Sequence, residues 1–298
     1  MSASPSSEPT SQAVPVCYRH PGRETYVRCR RCNRYICPDC MREDSVGFQC
    51  VECVAEGNRS VREARTVFGG RIIAKPYVTW ALLGLIGAVF AAQVVSSGGL
   101  VRLGTTADPL VYEFGMWGGA VLAWHQWYRL LTGVFLHGGL MHLAFNGFAL
   151  YVLGPQLERW LGHLRYAALW GVSALGGSVL GLLVQPTVMS VGASGAIFGL
   201  FGAVFVFGKR LRLDTRFILG LLVANLLITF LVPGISWTAH IGGLVSGLLL
   251  GLGYAYLPPK AGRESKPWQR ALWHGGVTVA YLVLLGVAIA VAPIASLG

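Results

Sequence analysis

Ser194 in Gly192-Ala-Ser194-Gly195, His240 in Ala239-His240-Ile-Gly-Gly243, and the run His137-Gly-Gly-Leu-Met-His142 leading to Asn146 all lie in strongly apolar stretches. A hydroxyl, imidazoles and an amide are costly in such surroundings unless they are used. The chemistry they could perform together is acyl transfer. A serine attacks a carbonyl, a histidine takes its proton, and hydrogen-bond donors hold the oxyanion that develops. His142 and Asn146 are four residues apart, so a helix puts them on one face, where they can converge on a single point. Alone, Asn146 reads equally well as helix-packing glue. Beside a GxSG string and a separate histidine, a share in an oxyanion site is the better account.

Such residues need membrane helices to position them, and the composition provides for these. Hydrophobic residues make up 54% of the 298-residue chain and charged residues 12%, against about 25% charged in a soluble domain. Of the thirteen acids, Glu8, Glu24, Asp39, Glu43, Asp44, Glu52, Glu56 and Glu63 precede residue 70. The others, Asp108, Glu113, Glu158, Asp214 and Glu264, are read as falling between apolar runs. Seven spans are expected, at 77–96, 138–154, 165–185, 194–208, 215–232, 238–257 and 271–292. With no carboxylate in any expected span, an aspartyl protease chemistry is excluded. No histidine is followed by glutamate, which excludes an HExxH metalloprotease. A transporter working through midplane charges lacks those charges.

Basic residues set the topology. Arg159 and Arg165, then Lys209, Arg210, Arg212 and Arg216, then Lys260, Arg263, Lys266 and Arg270 occupy alternate connections, and the intervening ones, 185–193 and 232–237, carry none. The N-terminus is therefore expected in the cytoplasm and the C-terminus outside. The long external connection, about 97–137, holds Trp117, Trp124, Trp127 and Tyr128 and is expected to lie on the outer leaflet. Ser194 and His240 then begin two helices in the same leaflet. Gly195, Gly199 and Gly202 on one and Gly243, Gly247 and Gly251 on the other follow the small-residue pattern that lets helix backbones touch. Such patterns usually mean generic packing, but here they flank the polar residues directly. His125, His163 and His274 are read as interfacial and Asn225 as helix glue.

The region before residue 70 is polar and cysteine-rich. Cys17-x2-His20, Cys29-x2-Cys32, Cys37-x2-Cys40 and Cys50-x2-Cys53 supply eight tetrahedral donors, enough for two structural zinc ions, and use all seven cysteines. An odd cysteine count in a reducing cytoplasm disfavours disulfides. The net charge of +11 is explained by topology. Nucleic-acid binding through Arg28, Arg30, Arg31 and Arg34 is accordingly disfavoured, and a cytoplasmic protein partner is the more natural use of a small zinc module. The expected division is a disordered tail at 1–15 without signal-peptide character, a zinc finger at 16–57, a basic juxtamembrane linker at 58–76, a six-helix core at 77–257, and a cytoplasmic connection with a seventh helix at 258–298.

Taken together, GxSG, AHxxG and HxxxN resemble the rhomboid family of intramembrane serine proteases, and the head is similar to B-box-type zinc fingers. The resemblance implies an all-α polytopic membrane fold, a six-helix core plus one C-terminal helix, behind a small cytoplasmic zinc-binding domain. It implies Ser194 as nucleophile, His240 as general base, and His142 with Asn146 as oxyanion stabilisers, with no cofactor for catalysis. Arg129 looks like the arginine of a first-loop Trp-Arg motif, although Tyr128 separates it from Trp127. His137 resembles a structural second-helix histidine. Gly192, Gly243 and Gly247 support the site. Phe198 stands where many members have a tyrosine packed on the catalytic histidine, so a ring stack is expected without its hydroxyl. Substrates would be single-pass membrane proteins in the lipid bilayer, cut in or near their transmembrane segments, with a bacterial plasma membrane as the location. The rival reading is a catalytically inactive relative that binds membrane clients. The B-box likeness implies cross-braced ligation, in which pairs one and three share one ion and pairs two and four the other. The spacing alone leaves sequential pairing open.

Overall fold

A computed structural model describes residues 14–60, 64–100, 103–257 and 267–291. The expected tail lies almost wholly outside the described residues, as does the connection 258–266. The chain separates into two compact units, 1–63 and 64–298, each with its own core.

In the first unit, β1 (Val16–Cys17) pairs antiparallel with β2 (His20–Glu24). A hairpin of β3 (Met41–Asp44) and β4 (Gly47–Cys50) runs into helix α1 (Val51–Ser60). The hairpin register, Met41 opposite Cys50 and Asp44 opposite Gly47, leaves a two-residue turn, and Gly47 takes φ +120° there, which a side chain would resist. Among the described residues of this unit, the buried apolar side chains are Ile36 and six of the cysteines. A core of that size cannot hold so short a unit together by hydrophobic burial. The four arginines of the 28–34 cluster are each engaged within the unit. Arg28 lies over Tyr35 and bonds its hydroxyl, Arg30 and Arg31 donate to the carbonyls of Val46 and Cys53, and Arg34 pairs with Glu52.

The second unit is helical: α2 (Tyr77–Ser96), three short helices α3 (Pro109–Phe114), α4 (Gly118–Ala123) and α5 (Arg129–Thr132), then α6 (Leu140–Leu161), α7 (His163–Val184), α8 (Ser194–Arg210), α9 (Arg216–Leu231), α10 (Trp237–Tyr256) and α11 (Pro267–Ala290). Among the described residues, α2, α7, α10 and α11 are each long and apolar enough to cross a membrane. A fifth candidate combines 129–135 with α6 across a 96° bend. The two remaining expected spans, α8 and α9, have 17 and 16 residues, or about 25 Å of rise against a hydrocarbon core of about 30 Å. For α8 the shortfall is met by burial in protein: every residue from Gly195 to Gly208 except Phe205 is buried. Large apolar side chains elsewhere, such as Phe145, Phe148, Phe217 and Phe230, are exposed, as suits contact with lipid. The protein is an integral membrane protein with a polytopic helical fold.

Residues 64–71, expected within a linker, pack on the ends of α6 and α7. Thr66 donates to the Trp160 carbonyl, and a Cβ on Gly70 would fall 2.3 Å from the Leu161 carbonyl oxygen.

Two polar residues depart from expectation. Glu158, read as part of a connection, lies in α6, which continues through Pro155 to Leu161, and it is fully buried. Its carboxylate accepts from the backbone N–H groups of Val78 and Thr79 (both 2.9 Å) and from the Thr79 hydroxyl at 2.6 Å, and it also meets His163. The N–H groups belong to the first turn of α2, whose N-cap, Pro76, offers no side-chain acceptor, so an anion from a neighbouring helix satisfies donors and dipole together. Glu158→Gln leaves one carbonyl oxygen for three donors and turns an N–H2 group toward them. The expected result is a loss of about 1–3 kcal/mol of stability, read as a lower melting temperature in detergent. His274, expected at the interface, is buried in α11 against the Tyr254 ring and bonds the Tyr254 carbonyl at 3.1 Å.

Candidate active site and metal centres

The α8 and α10 backbones touch. A Cβ on Gly243 would stand 1.8 Å from the Gly195 carbonyl oxygen, and one on Gly247 would stand 1.9 Å from that of Gly199. No side chain fits there. The contact brings the first residue of α8 beside the first turn of α10, where Ser194 Oγ lies 2.7 Å from His240 Nε2. Ser236 caps α10 by accepting from the Ala239 N–H, which fixes that first turn. Phe198, one turn along α8, stacks on the imidazole with ring centroids 4.1 Å apart and planes 17° apart. On its other edge, His240 Nδ1 lies 2.6 Å from the hydroxyl of Thr229 in α9.

His142 and Asn146 share one face of α6 and approach the segment before Ser194. A Cβ on Gly192 would fall 2.7 Å from His142 Nε2 and 3.7 Å from Asn146 Nδ2. Gly192, at φ +120°, therefore meets both a steric and a backbone requirement for glycine. The Gly138 N–H donates to His142 Nδ1 at 3.2 Å, so the ring's proton is on Nε2, the atom turned toward Gly192. The Asn146 amide spends one N–H on the His142 carbonyl, leaving the other to donate. These donors stand beside Gly192, two residues before the start of α8, whose first N–H groups have no partner within the helix.

His137 precedes α6 instead of lying on it, is fully buried, and stands 5.2 Å centroid to centroid from His142. Its backbone N–H is held by Gln93, which also bonds the buried Asp108. Arg129 lies away from the serine. Its guanidinium is buried, donates to the carbonyls of Tyr112 and Gly115 and to Gln126, and so ties together the connection between α2 and α6. The structure thus brings Ser194, His240, His142, Asn146, Gly192, Phe198 and Gly243 together, with Gly247 one turn deeper on the same helix contact. Thr229 was not singled out from the sequence. Its only signal is a second polar residue four positions after Asn225 in an apolar helix, and threonine is common there for its own i−4 bond.

In the first unit the eight donors fall into two groups of four, Cys17, His20, Cys37 and Cys40, and Cys29, Cys32, Cys50 and Cys53, with the ligand atoms of each group within 4.8 Å of one another. This is the cross-braced arrangement. His20 Nδ1 lies 3.7, 3.2 and 3.5 Å from the sulfurs of Cys17, Cys37 and Cys40, and Cys32 and Cys50 sulfurs are 3.7 Å apart. Tetrahedral bonds of about 2.3 Å to sulfur and 2.0–2.1 Å to nitrogen place donors roughly 3.5–3.8 Å apart, while a disulfide requires about 2.05 Å. All seven cysteines are free. Burial opposes ionisation of Cys17 and Cys29, but surrounding backbone N–H donors outweigh it and lower both thiols to about 6. Burial, with neighbouring thiols adding to it, raises Cys40 to about 11 and Cys53 to about 12. The residues fit a metal ion at each site.

The class the fold defines is a polytopic helical membrane protein in which a partly buried Ser–His pair sits at two helix starts, with a His and an Asn of a third helix beside the segment that leads into the serine. Residues 124–257 match the family described as Rhomboid domain, and the chain belongs to the rhomboid family. It is 34% identical over 197 residues to Rhomboid protease GluP of Bacillus subtilis, covering 64% of this chain and 37% of that protein. It is 33% identical over 186 residues to RHOMBOID-like protein 1 of Arabidopsis thaliana (54% and 46%). RHOMBOID-like protein 5 of the same plant is 37% identical over 177 residues (54% and 53%). The chain thus spans about a third to a half of the length of these relatives.

Proposed function

We propose that this protein is an intramembrane serine endopeptidase that hydrolyses peptide bonds in or near the transmembrane segments of single-pass membrane proteins. The observation that carries the proposal is the 2.7 Å contact between Ser194 Oγ and His240 Nε2 inside a rhomboid domain. In this reading Ser194 attacks the carbonyl carbon while His240 takes its proton. His142 Nε2–H, the free Asn146 N–H and the Ser194 backbone N–H stabilise the oxyanion. His240 then protonates the leaving amine, and water, activated by the same ring, releases the acyl group. Gly192, Phe198, Gly243 and Gly247 hold the geometry, and His137 and Arg129 brace the external side. A substrate helix must unwind to present its bond, so helix-breaking residues favour cleavage. The site opens toward the external face of a bacterial plasma membrane, with the N-terminus cytoplasmic and the C-terminus external.

Purified protein in liposomes, given a panel of single-pass substrates, tests this. Fragments that map within or beside the transmembrane segment are expected. Binding of the same substrates without any cleavage would favour the client-binding alternative.

For the head we propose a zinc finger over 16–57 with two structural zinc ions, its basic following segment and the membrane core 77–257 completing the chain's organisation with the seventh helix beyond 258. Its exposed surface suits a cytoplasmic protein partner. Zinc bound to Cys and His donors contributes about 10–16 kcal/mol to small domains. Two zinc ions per chain are expected by atomic spectroscopy, and stripping them with a strong chelator should expose all seven thiols to a thiol reagent. A preparation that holds no zinc, with thiols reactive from the outset, overturns the assignment.

A further inference from the structure

His240 has two ring nitrogens, and the proposed chemistry uses only Nε2. The other is held by a residue outside the motifs. Thr229 Oγ1 lies 2.6 Å from His240 Nδ1 and 2.7 Å from the backbone carbonyl oxygen of Asn225, and both contacts are buried or nearly so. A carbonyl oxygen can only accept, so the single hydroxyl proton of Thr229 points to Asn225. The hydroxyl's lone pairs therefore face Nδ1, and Nδ1 must carry the ring's hydrogen. A bare Nδ1 would set two lone pairs against each other at 2.6 Å.

That assignment leaves Nε2 without a proton, opposite the Ser194 hydroxyl at 2.7 Å. Only this tautomer can receive the serine's proton. We infer that Thr229 is the positioning residue of the Ser194–His240 pair, a neutral hydroxyl that fixes the tautomer and in-plane direction of the imidazole where other serine hydrolases use a carboxylate. The inference rests on the reading of Ser194 and His240 as nucleophile and base.

Two constraints then act on the ring. The Phe198 stack fixes its plane, and the bond to Thr229 fixes its rotation within that plane. The carbonyl that accepts the threonine proton polarises the hydroxyl, making its oxygen a better acceptor when the ring becomes imidazolium. A neutral group at this position needs no desolvated counter-ion in the low-dielectric interior. Thr229 is also one of only two buried residues in α9, the other being Leu222. The helix is otherwise half-exposed or exposed, so its polar contribution to the interior is concentrated on this contact.

The test compares wild type with Thr229→Val, which keeps the branched shape and loses the hydroxyl, Thr229→Ser, which keeps the hydroxyl, and Ser194→Ala. Readouts are kcat and KM on a single-pass substrate in liposomes, the rate at which a fluorophosphonate labels Ser194, and the melting temperature. Thr229→Val is expected to lower kcat and labelling together by roughly 10- to 100-fold, a part of the about 10^4-fold attached to a buried carboxylate in the equivalent role. KM should stay near the wild-type value, and Thr229→Ser should remain within about threefold of wild type. If Thr229→Val does not fold, Thr229→Cys, similar in size with a weak acceptor, takes its place with the same expectation.

Wild-type kcat and labelling in a folded Val or Cys variant, with Ser194→Ala inactive, overturns the role of Thr229 and leaves the dyad standing. So does a folded Ser variant as impaired as Val. Cleavage retained in Ser194→Ala overturns the dyad reading, and this inference with it.

Discussion

Ser194→Ala is expected to abolish cleavage, and His240→Ala to come close to it, each by on the order of 10^4- to 10^6-fold. The two losses should not add. In the proposed mechanism each residue acts only through the other, across the 2.7 Å contact between them. A double variant should therefore be about as inactive as Ser194→Ala alone. The helices themselves should be undisturbed, because Ser194 is partly exposed at a helix start and contributes little packing. The check is fragment formation from a single-pass substrate in liposomes, with the melting temperature of each variant measured beside it. Wild-type cleavage by folded Ser194→Ala would remove the proposed nucleophile, and unequal, additive losses would mean that His240 serves some other step.

Gly243→Ala should abolish the proposed cleavage without touching either Ser194 or His240. The added carbon would stand 1.8 Å from the Gly195 carbonyl oxygen, whereas carbon and oxygen rest no closer than about 3.3 Å. The obstacle is helix backbone, which cannot swing aside as a side chain can, so α8 and α10 must separate by an ångström or more. Overpacking of this kind costs about 1–3 kcal/mol or more. The catalytic cost is larger, because misplacing reacting groups by about 1 Å can lose 10²-fold, and here the displaced helices carry Ser194 and His240. We expect at least about a hundredfold loss of kcat together with a lower melting temperature. Gly171→Ala is the control: nothing lies within 4 Å of the added carbon, so cleavage should be unchanged and stability equal or slightly raised. An active Gly243→Ala would mean that the helices have slack that the contact does not suggest.

Much of this arrangement can be read from local sequence. The apolar runs mark the seven long helices within a few residues at most ends, and the small residues around Ser194 and His240 mark the surfaces that touch. Glu158 was misplaced because Gly154 and Pro155 look like a helix end. A proline removes only one donor, and the helix continues through it to bring the carboxylate under α2, 79 residues away in sequence from the Thr79 groups it holds. Thr229 was missed for a related reason. Its partner on α10 is eleven positions further on, and nothing in a threonine four residues after an asparagine distinguishes a bond to histidine from ordinary helix capping. His274 was read from its place near a helix end, but its burial depends on Tyr254 in a different helix. In each case the decisive contact joins elements whose pairing is set by packing, which local pattern does not encode.

The interleaved ligand pairs of the head have a consequence for how it comes apart. Going along the chain, the segments run first site, second site, first site, second site, so the loop that an ion at either site would close contains one half of the other site. Releasing one ion frees a loop that runs through the remaining centre and removes the order that held its donors together. The two losses should therefore be linked, like links of a chain and unlike beads on a string. In a chelator titration the intermediate with a single ion should be scarcely populated, and the head would behave as a switch with two positions, loaded or open.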